Sequence, residues 1–409
     1  MDLTVTANQS TERISAHLWI AFAICFIADI LSGTVSTLMS VYLPVVVKDL
    51  LGDVSAQQLS KVSAYINSLF ILGWAAGGFI WGMISDRIGR SKSLLFAIGS
   101  YGAFTVLTGL ASSWELIVAF RFLSGFGVGG VLVIAPILLS VLFPEKSRAV
   151  FIGILSIGFP IGIFSAGLVN YIVPTWRQGF LIGIIPIGIA IISIWALKES
   201  EKWKTAKTVN SIYGKSLFAP EYRNNLWKGA VIFGSMLIGL WAIFSWLPSW
   251  VQSLLTNSEG QTERGLSMML MGAGGLTGGF FSGWISNGLG VRKAMMMCFS
   301  ACIVLSFLLF GLNTSFSKIV YVEIALLAVF FGFSQGLLSV YTPQLFPVSL
   351  RATATGFCFN IGRLFTAAAV FFIGALVTKL GGYGNSLLAF SGIFFIGLIA
   401  IYFTKDKSD

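Results

Sequence analysis

Charged residues are scarce in this chain of 409 residues: Asp, Glu, Lys and Arg together make up 10% of it, against 56% hydrophobic residues. A soluble globular protein carries about 25% charged residues, and a single hydrophobic core stops growing near ~250–300 residues. The composition therefore excludes one large water-soluble core, and its hydrophobicity excludes intrinsic disorder. With a mean hydropathy of +0.88, the chain is expected to be an all-α polytopic membrane protein.

Residues that perform catalysis or hold metals are also few. The chain has one histidine, His17, and four cysteines. Cys298 and Cys302 lie one helical turn apart, but no histidine or carboxylate accompanies them, whereas a zinc site needs three or four ligands. No Ser/His/Asp set and no glycine-rich phosphate loop is recognisable in the sequence. We therefore expect no enzyme activity, no metal and no cofactor.

Apolar runs separated by short polar breaks predict twelve membrane-spanning helices, since a span needs about 20 apolar residues. One long polar segment, 198–228, is predicted to be a cytoplasmic linker between an N-terminal half (1–197) and a C-terminal half (229–409) of six helices each. The predicted spans are roughly 17–47, 59–84, 93–112, 115–142, 149–172, 178–197, 229–255, 265–286, 294–312, 319–343, 352–379 and 386–403.

Basic residues are distributed unevenly between the loops. If the N-terminus is cytoplasmic, 18 of the 26 Lys and Arg residues lie on the cytoplasmic side, 6 lie outside, and Arg121 and Arg363 remain within spans. Cytoplasmic loops of membrane proteins carry such an excess. The sequence therefore predicts a multi-pass protein of the bacterial inner membrane with both termini in the cytoplasm. The net charge of +10 is thereby attributed to topology, and nucleic-acid binding is not expected.

The two halves repeat the same short motifs. Residues 77–92 read GGFIWGMISDRIGRSK, and residues 278–293, which lie 201 positions later, read GGFFSGWISNGLGVRK. Likewise FPEKSRA at 143–149 is matched by FPVSLRA at 346–352, an offset of 203. Two independent matches at nearly one offset indicate an internal duplication. Transporters with such repeats place their substrate site between the halves, near the middle of the membrane.

These motifs carry a family resemblance that covers nearly the whole chain. GMISDRIGRSK, RFLSGFGVGG (121–130) and PEKSRA resemble signature motifs of the major facilitator superfamily. Within it, TPQLFPVSLRATATGFCFNIGR resembles helices 10 and 11 of the sialate, lactate and aromatic-acid proton symporters, and also the organic-anion transporters. The resemblance implies twelve helices in two six-helix pseudo-repeats around a central cavity. It also implies transport of a small organic anion with protons by alternating access, in a lipid bilayer. We expect a monomer.

The loop between the second and third predicted spans combines an acid with several basic residues. Such a cluster can hold the two halves together in one access state and release them in the other; an ordinary positive loop is the alternative. The small Gly82 would let helices approach closely there. The expected cytoplasmic gate comprises Gly82, Asp86, Arg87, Arg90, Glu145, Arg148 and Arg351.

Two ionisable residues, Asp29 and Arg121, fall inside the first and fourth spans. Such residues are costly in lipid and usually have a function and a partner. Counting about 1.5 Å per residue from His17 and from Trp114 places both at a similar depth, so pairing is plausible. Sugar/proton symporters of the superfamily resemble this arrangement. Asp29 with Arg121 is therefore the expected proton-coupling pair; a purely structural ion pair is the alternative.

Arg363 lies twelve residues after Arg351, about 18 Å into the eleventh span at 1.5 Å per residue. No acid lies near it in sequence, and the planar fork of a guanidinium suits a carboxylate. The organic-anion transporters resemble the chain in placing an arginine there. Arg363 is therefore expected to bind an anionic substrate; pairing with Glu323, nearer the outside, is the alternative.

Aromatic and amide side chains could complete a substrate site. Trp241 and Trp246 lie within the seventh span, where Pro248 allows a bend. Trp250, near the outer end, is expected in an interfacial belt. The remaining candidate substrate-binding residues are Gln335, Asn360 and Tyr341, which could instead bond only between helices.

The sequence leaves other functions open. Helix 5 contains GFPIGIFSAG, partly like the motif of drug and metabolite exporters, so a proton antiporter is one alternative. A neutral sugar transporter, in which Asp29 and Arg121 are only structural, is another. A receptor or assembly factor would need an extra domain or a degenerate gate, and neither is recognisable.

Overall fold

The computed structural model describes residues 16–197, 217–256, 260–347 and 350–404. Over these residues the chain folds into twelve helices of membrane-spanning length. In chain order they are α1 (Ala16–Leu51), α2 (Ala56–Ile88), α3 (Arg90–Leu110), α4 (Trp114–Leu142), α5 (Glu145–Ile172), α6 (Trp176–Ala196), α7 (Pro220–Ser253), α8 (Gln261–Leu289), α9 (Val291–Leu312), α10 (Lys318–Gln344), α11 (Arg351–Leu376) and α12 (Tyr383–Tyr402). The predicted all-α, twelve-helix architecture is confirmed.

Eleven of these helices are long and apolar enough to cross a membrane. The other one, α8, is 29 residues long but rich in glycine and serine, which lowers its hydropathy. Short irregular turns interrupt three spans: a 3₁₀ turn in α6, a π turn at the end of α9, and a break at Gly392 in α12. The helix count therefore follows the sequence pattern even where hydropathy alone is weak.

Helix α7 begins earlier than predicted. The sequence places the end of the linker at residue 228, but α7 starts at Pro220, which occupies a first-turn position that suits proline. Hydropathy marks where a helix enters lipid, whereas the polar turns that precede that point remain helical. The part of the predicted linker from 198 to 216 lies outside the described residues.

Glycines bring matching helices together in both halves. In α2, a methyl group added at Gly73 or Gly77 would collide with backbone carbonyl oxygens of α4. At the equivalent place in α8, Gly278 lies equally close to the carbonyl of Val329 in α10. Gly77 and Gly278 are separated by the same 201 residues as the sequence repeat. Small residues let helix backbones approach in membranes, so the duplicated motif encodes duplicated packing.

The two halves close against each other at one end of the bundle. We call the end where α1 begins and α12 ends the terminal face, and the opposite end the distal face. At the distal face Gln261 of α8 donates to the carbonyl of Asn170 in α5 at 2.6 Å. Nearby, the rings of Tyr65 in α2 and Phe371 in α11 lie 5.1 Å apart.

Towards the terminal face the same four helices have open space beside them. A methyl group added at Gly82 (α2), Gly153 (α5), Gly283 (α8) or Gly356 (α11) would meet nothing within 4 Å. The structure therefore shows contacts between the halves at the distal face and open space at these four positions towards the terminal face. It also corrects one expectation, because Gly82 is not a point of close helix approach in this conformation.

Candidate functional site

Arg363 lies near the middle of α11 and is buried, with 2% of its surface exposed. Its guanidinium is 3.8 Å from the ring centroid of Phe359 and 4.2 Å from that of Trp74 in the other half. Aromatic faces attract a guanidinium in this way. The two rings leave the planar edge of the cation as its remaining hydrogen-bonding surface.

That edge is only partly used. One terminal nitrogen, Nη1, donates to Oδ1 of Asn360 at 3.4 Å, and the buried Nε has no hydrogen-bond partner among the described residues. Within the described part of the chain, Arg363 forms no ion pair with an acid. A buried cation without an acid, and with in-plane donors to spare, can accept the two oxygens of a carboxylate.

An aromatic cluster from both halves lies beside this arginine. The rings of Trp74 (α2) and Trp241 (α7) meet edge to face at 4.8 Å, and Phe159 (α5) lies 5.6 Å from Trp74 and 6.0 Å from Trp241. The structure therefore places Trp241 next to the Arg363 environment. Trp74, Phe159 and Phe359 were not among the predicted site residues, because the sequence offers many span aromatics and no sign of which face they occupy.

Trp246 lies elsewhere. Its side chain is fully buried, its indole Nε1 donates to the carbonyl of Val370 in α11 at 3.0 Å, and its ring lies 5.6 Å from that of Tyr383. These contacts stay within the C-terminal half. The expectation that Trp246 lines the site is corrected: it joins α7 to α11 and α12. Trp250 is likewise buried, against Phe310, and is not an interfacial residue.

The polar residues predicted to bind substrate lie on two different helices. Asn360 lies beside Arg363 and faces Gly78 of α2 across the two halves. Gln335 and Tyr341 are on α10, where Gln335 is half-buried and its Nε2 has no hydrogen-bond partner among the described residues. The structure thus places Asn360 in direct contact with Arg363.

Glu323 does not pair with Arg363. It lies near the distal start of α10, where its Oε2 accepts a hydrogen bond from Nδ2 of Asn313 at 2.7 Å. This corrects both its inclusion among substrate-binding residues and the alternative of an Arg363–Glu323 pair. The two side chains belong to different levels of the bundle, in keeping with the expected position of Glu323 nearer the outside.

Asp29 and Arg121 are both buried but are not paired in this conformation. Arg121 donates to the carbonyl of Val35 at 2.9 Å and lies over the ring of Phe70 at 3.8 Å. Val35 is six residues beyond Asp29, or about 9 Å along α1. The expected pair is therefore not formed in this conformation, and its role in proton coupling stays a prediction. Depth counts on two tilted helices agree only to within a turn or two.

The Asp29 carboxyl instead faces α5. A methyl group added at Gly158 would lie 2.8 Å from its Oδ2 and 3.2 Å from its Cβ, so the carboxyl packs directly against the α5 backbone. Asp29 has 5% of its surface exposed and no cation beside it among the described residues. The ring of Phe159, the residue after Gly158, belongs to the aromatic cluster, so this part of α5 connects the Asp29 environment to that of Arg363.

The expected gate residues lie at the terminal face. Asp86 and Arg87 are exposed, and Asp86 forms no ion pair with another described residue. Arg90 and Arg148 are half-buried, and the exposed Arg351 donates to the carbonyl of Phe346 at 3.2 Å. Glu145 is the first residue of α5, but its side chain lies outside the described part.

Two six-helix halves that enclose a buried, unpaired cation define a membrane transport protein. A family model described as the Major Facilitator Superfamily matches residues 25–369. The chain therefore belongs to the Major Facilitator Superfamily, and it is a transporter, not an enzyme. The resemblance inferred from its sequence motifs is confirmed.

Curated relatives align with most of the chain. The chain is 27% identical to the cis,cis-muconate transport protein of Acinetobacter baylyi, over 98% of both chains. It is 29% identical to a probable 4-methylmuconolactone transporter of Cupriavidus pinatubonensis, over 75% of this chain and 73% of that one. It is 27% identical to the sialic acid transporter NanX of Escherichia coli, over 78% of each.

Solved structures agree in fold. The D-xylose–proton symporter superposes with a TM-score of 0.79 at 14% identity, covering 95% of this chain and 97% of that one. This likeness shows the fold alone.

Proposed function

We propose that the protein transports a small organic anion that carries a carboxylate, and that Arg363 binds that carboxylate. The observation that carries the proposal is the buried guanidinium with no acidic partner and with an unused in-plane edge. The relatives support it, because muconate, methylmuconolactone and sialic acid all bear carboxyl groups. Trp74 and Trp241 would pack against the apolar body of such a substrate.

We propose further that transport is driven by protons through Asp29 and proceeds by alternating access. A carboxyl buried without a cation is accommodated more readily as the neutral acid. Asp29 meets that condition in the present conformation. We infer that the terminal face is cytoplasmic, in keeping with the bias of basic residues, and that the protein lies in a bacterial inner membrane as a monomer.

A thermal-shift comparison tests the substrate class. Purified protein is heated with cis,cis-muconate, with its uncharged diamide, and with a neutral sugar. The carboxylate should raise the melting temperature, because a ligand at 100 times its Kd stabilises the folded state by about 2.7 kcal/mol. The diamide should not. Stabilisation by sugars or amines, with none from a panel of mono- and dicarboxylates, would favour the sugar-transporter or exporter alternative.

The terminal gate gives a separate prediction. Asp86→Ala should slow transport several-fold by disfavouring the state in which the terminal face is closed. It should leave the free energy of unfolding nearly unchanged, since exposed substitutions usually shift it by less than about 0.5 kcal/mol. Initial uptake rates in proteoliposomes measure the effect. Asp53→Ala, which removes an exposed acid from the distal face, is the matched control, and equal rates in the two variants would refute the clamp.

A further inference from the structure

The first helix of each half contains a proline near its distal end. These prolines are Pro44 in α1 and Pro248 in α7, within the matching triplets YLP (42–44) and WLP (246–248). A proline within a helix removes one backbone donor and loosens the turn before it. The carbonyl four residues before the proline loses its helical donor, and the loosened turn leaves the neighbouring carbonyls accessible to side-chain donors.

In both helices one of these carbonyls is bound by a side chain from the other half. Arg264 of α8 donates its Nε to the carbonyl of Val41, three residues before Pro44, at 3.0 Å. Asn67 of α2 donates its Nδ2 to the carbonyl of Ser245, three residues before Pro248, also at 3.0 Å. Since α2 and α8 are equivalent helices of the two halves, the two bonds join equivalent pairs of helices, although at the 201-residue offset Arg264 aligns with Ser63, one helical turn from Asn67.

Both donors are buried at the distal side of the bundle. Arg264 has 2% of its surface exposed and Asn67 has 4%. Arg264 also donates to Oε1 of Gln252 at the end of α7, so one guanidinium joins α1, α7 and α8. A buried donor that loses its acceptor costs more than an exposed one, because water does not immediately replace the partner.

We propose that Arg264 and Asn67 are the gating residues of the distal face. Each donor and its acceptor belong to different halves, so the distal ends of the halves separate only when both bonds break. The bonds therefore set the population of the distal-closed state and the rate at which substrate enters or leaves on that side. This role follows from the two bonds to backbone carbonyls and does not depend on which substrate is carried.

Distance measurements between spin labels test the gate. Gln57→Cys at the distal end of α2 and Thr378→Cys just after α11 place exposed labels on opposite halves. The four native cysteines are buried, and a sample without the added cysteines measures their labelling. Double electron–electron resonance in nanodiscs then gives the ratio of long (distal-open) to short (distal-closed) distances.

Arg264→Met should raise that ratio by about tenfold or more, and Asn67→Ala by about two- to tenfold, as expected for losing a charged and a neutral hydrogen bond. Arg177→Met is the matched control, because this distal arginine donates to the carbonyls of Gly109 and Ala111 within its own half. It should leave the ratio unchanged.

An unchanged ratio in Asn67→Ala, or a shift in Arg177→Met as large as in the gate variants, overturns the proposal. A shift in only one of two folded gate variants overturns the two-bond gate. If Arg264→Met does not fold, the uncharged Asn67→Ala variant decides the question alone.

Discussion

Arg363→Ala should abolish measurable carboxylate binding while the protein remains folded. A charge-assisted hydrogen bond contributes about 1.5–3 kcal/mol, or roughly 10–150-fold in affinity at 1.4 kcal/mol per tenfold. Arg363 has no acidic partner whose charge would be stranded by its removal. Truncation therefore does not incur the large penalty of breaking a buried ion pair, and the melting temperature without ligand should be retained.

Arg363→Lys separates charge from geometry. Lysine keeps the positive charge but loses the planar fork that offers two parallel donors to a carboxylate. It also lacks the flat surface that lies between Phe359 and Trp74. We expect weakened binding, intermediate between wild type and Arg363→Ala, with some transport remaining. Isothermal titration with the carboxylate found by thermal shift measures all three affinities.

Glu323→Gln is the control that distinguishes substrate binding from an ion pair. Glu323 contacts Asn313 and not Arg363. The Glu323→Gln protein should therefore bind the carboxylate with the same affinity as wild type. If Arg363 and Glu323 acted as a pair, the double variant would recover much of the loss seen in the single ones. Full binding by Arg363→Ala would contradict the anion proposal and favour a neutral substrate.

The sequence predicts how deep in the membrane a residue lies along its helix. It does not predict which way the side chain points around the helix axis. A fixed rise per residue and a fixed membrane thickness place Arg363 near mid-span, and the structure agrees. The same count could not show that its guanidinium faces Trp74 of the other half. Rotation depends on which glycines and large side chains pack at each crossing, and these contacts join residues far apart in sequence.

Trp246 and the Asp29–Arg121 pair show the same limit. Trp241 and Trp246 are five residues apart on α7, and only Trp241 faces the aromatic cluster. Arg121 reaches a carbonyl of α1, an acceptor that every residue carries and that no sequence motif reveals. The twelve-helix architecture was predictable because it depends on apolar runs and repeated motifs, which are local features.

Asp29→Asn should abolish proton-driven accumulation of substrate while retaining exchange of substrate across the membrane. Asparagine has nearly the same shape as aspartate, but it cannot carry a proton between the two sides. Uptake into proteoliposomes under an imposed pH gradient should fall to the equilibrium level. Counterflow, in which unlabelled substrate inside drives entry of labelled substrate, should persist.

Two further variants make the test specific to this carboxyl group. Asp53→Asn changes an exposed acid at the distal face and should accumulate substrate as wild type does. Gly158→Ala adds a methyl group 2.8 Å from the Asp29 carboxylate, which is closer than normal packing allows. It should therefore impair accumulation although Asp29 itself is intact. Uphill transport by Asp29→Asn at the wild-type level would remove Asp29 from proton coupling, whereas loss of both accumulation and counterflow would assign it to substrate binding or folding.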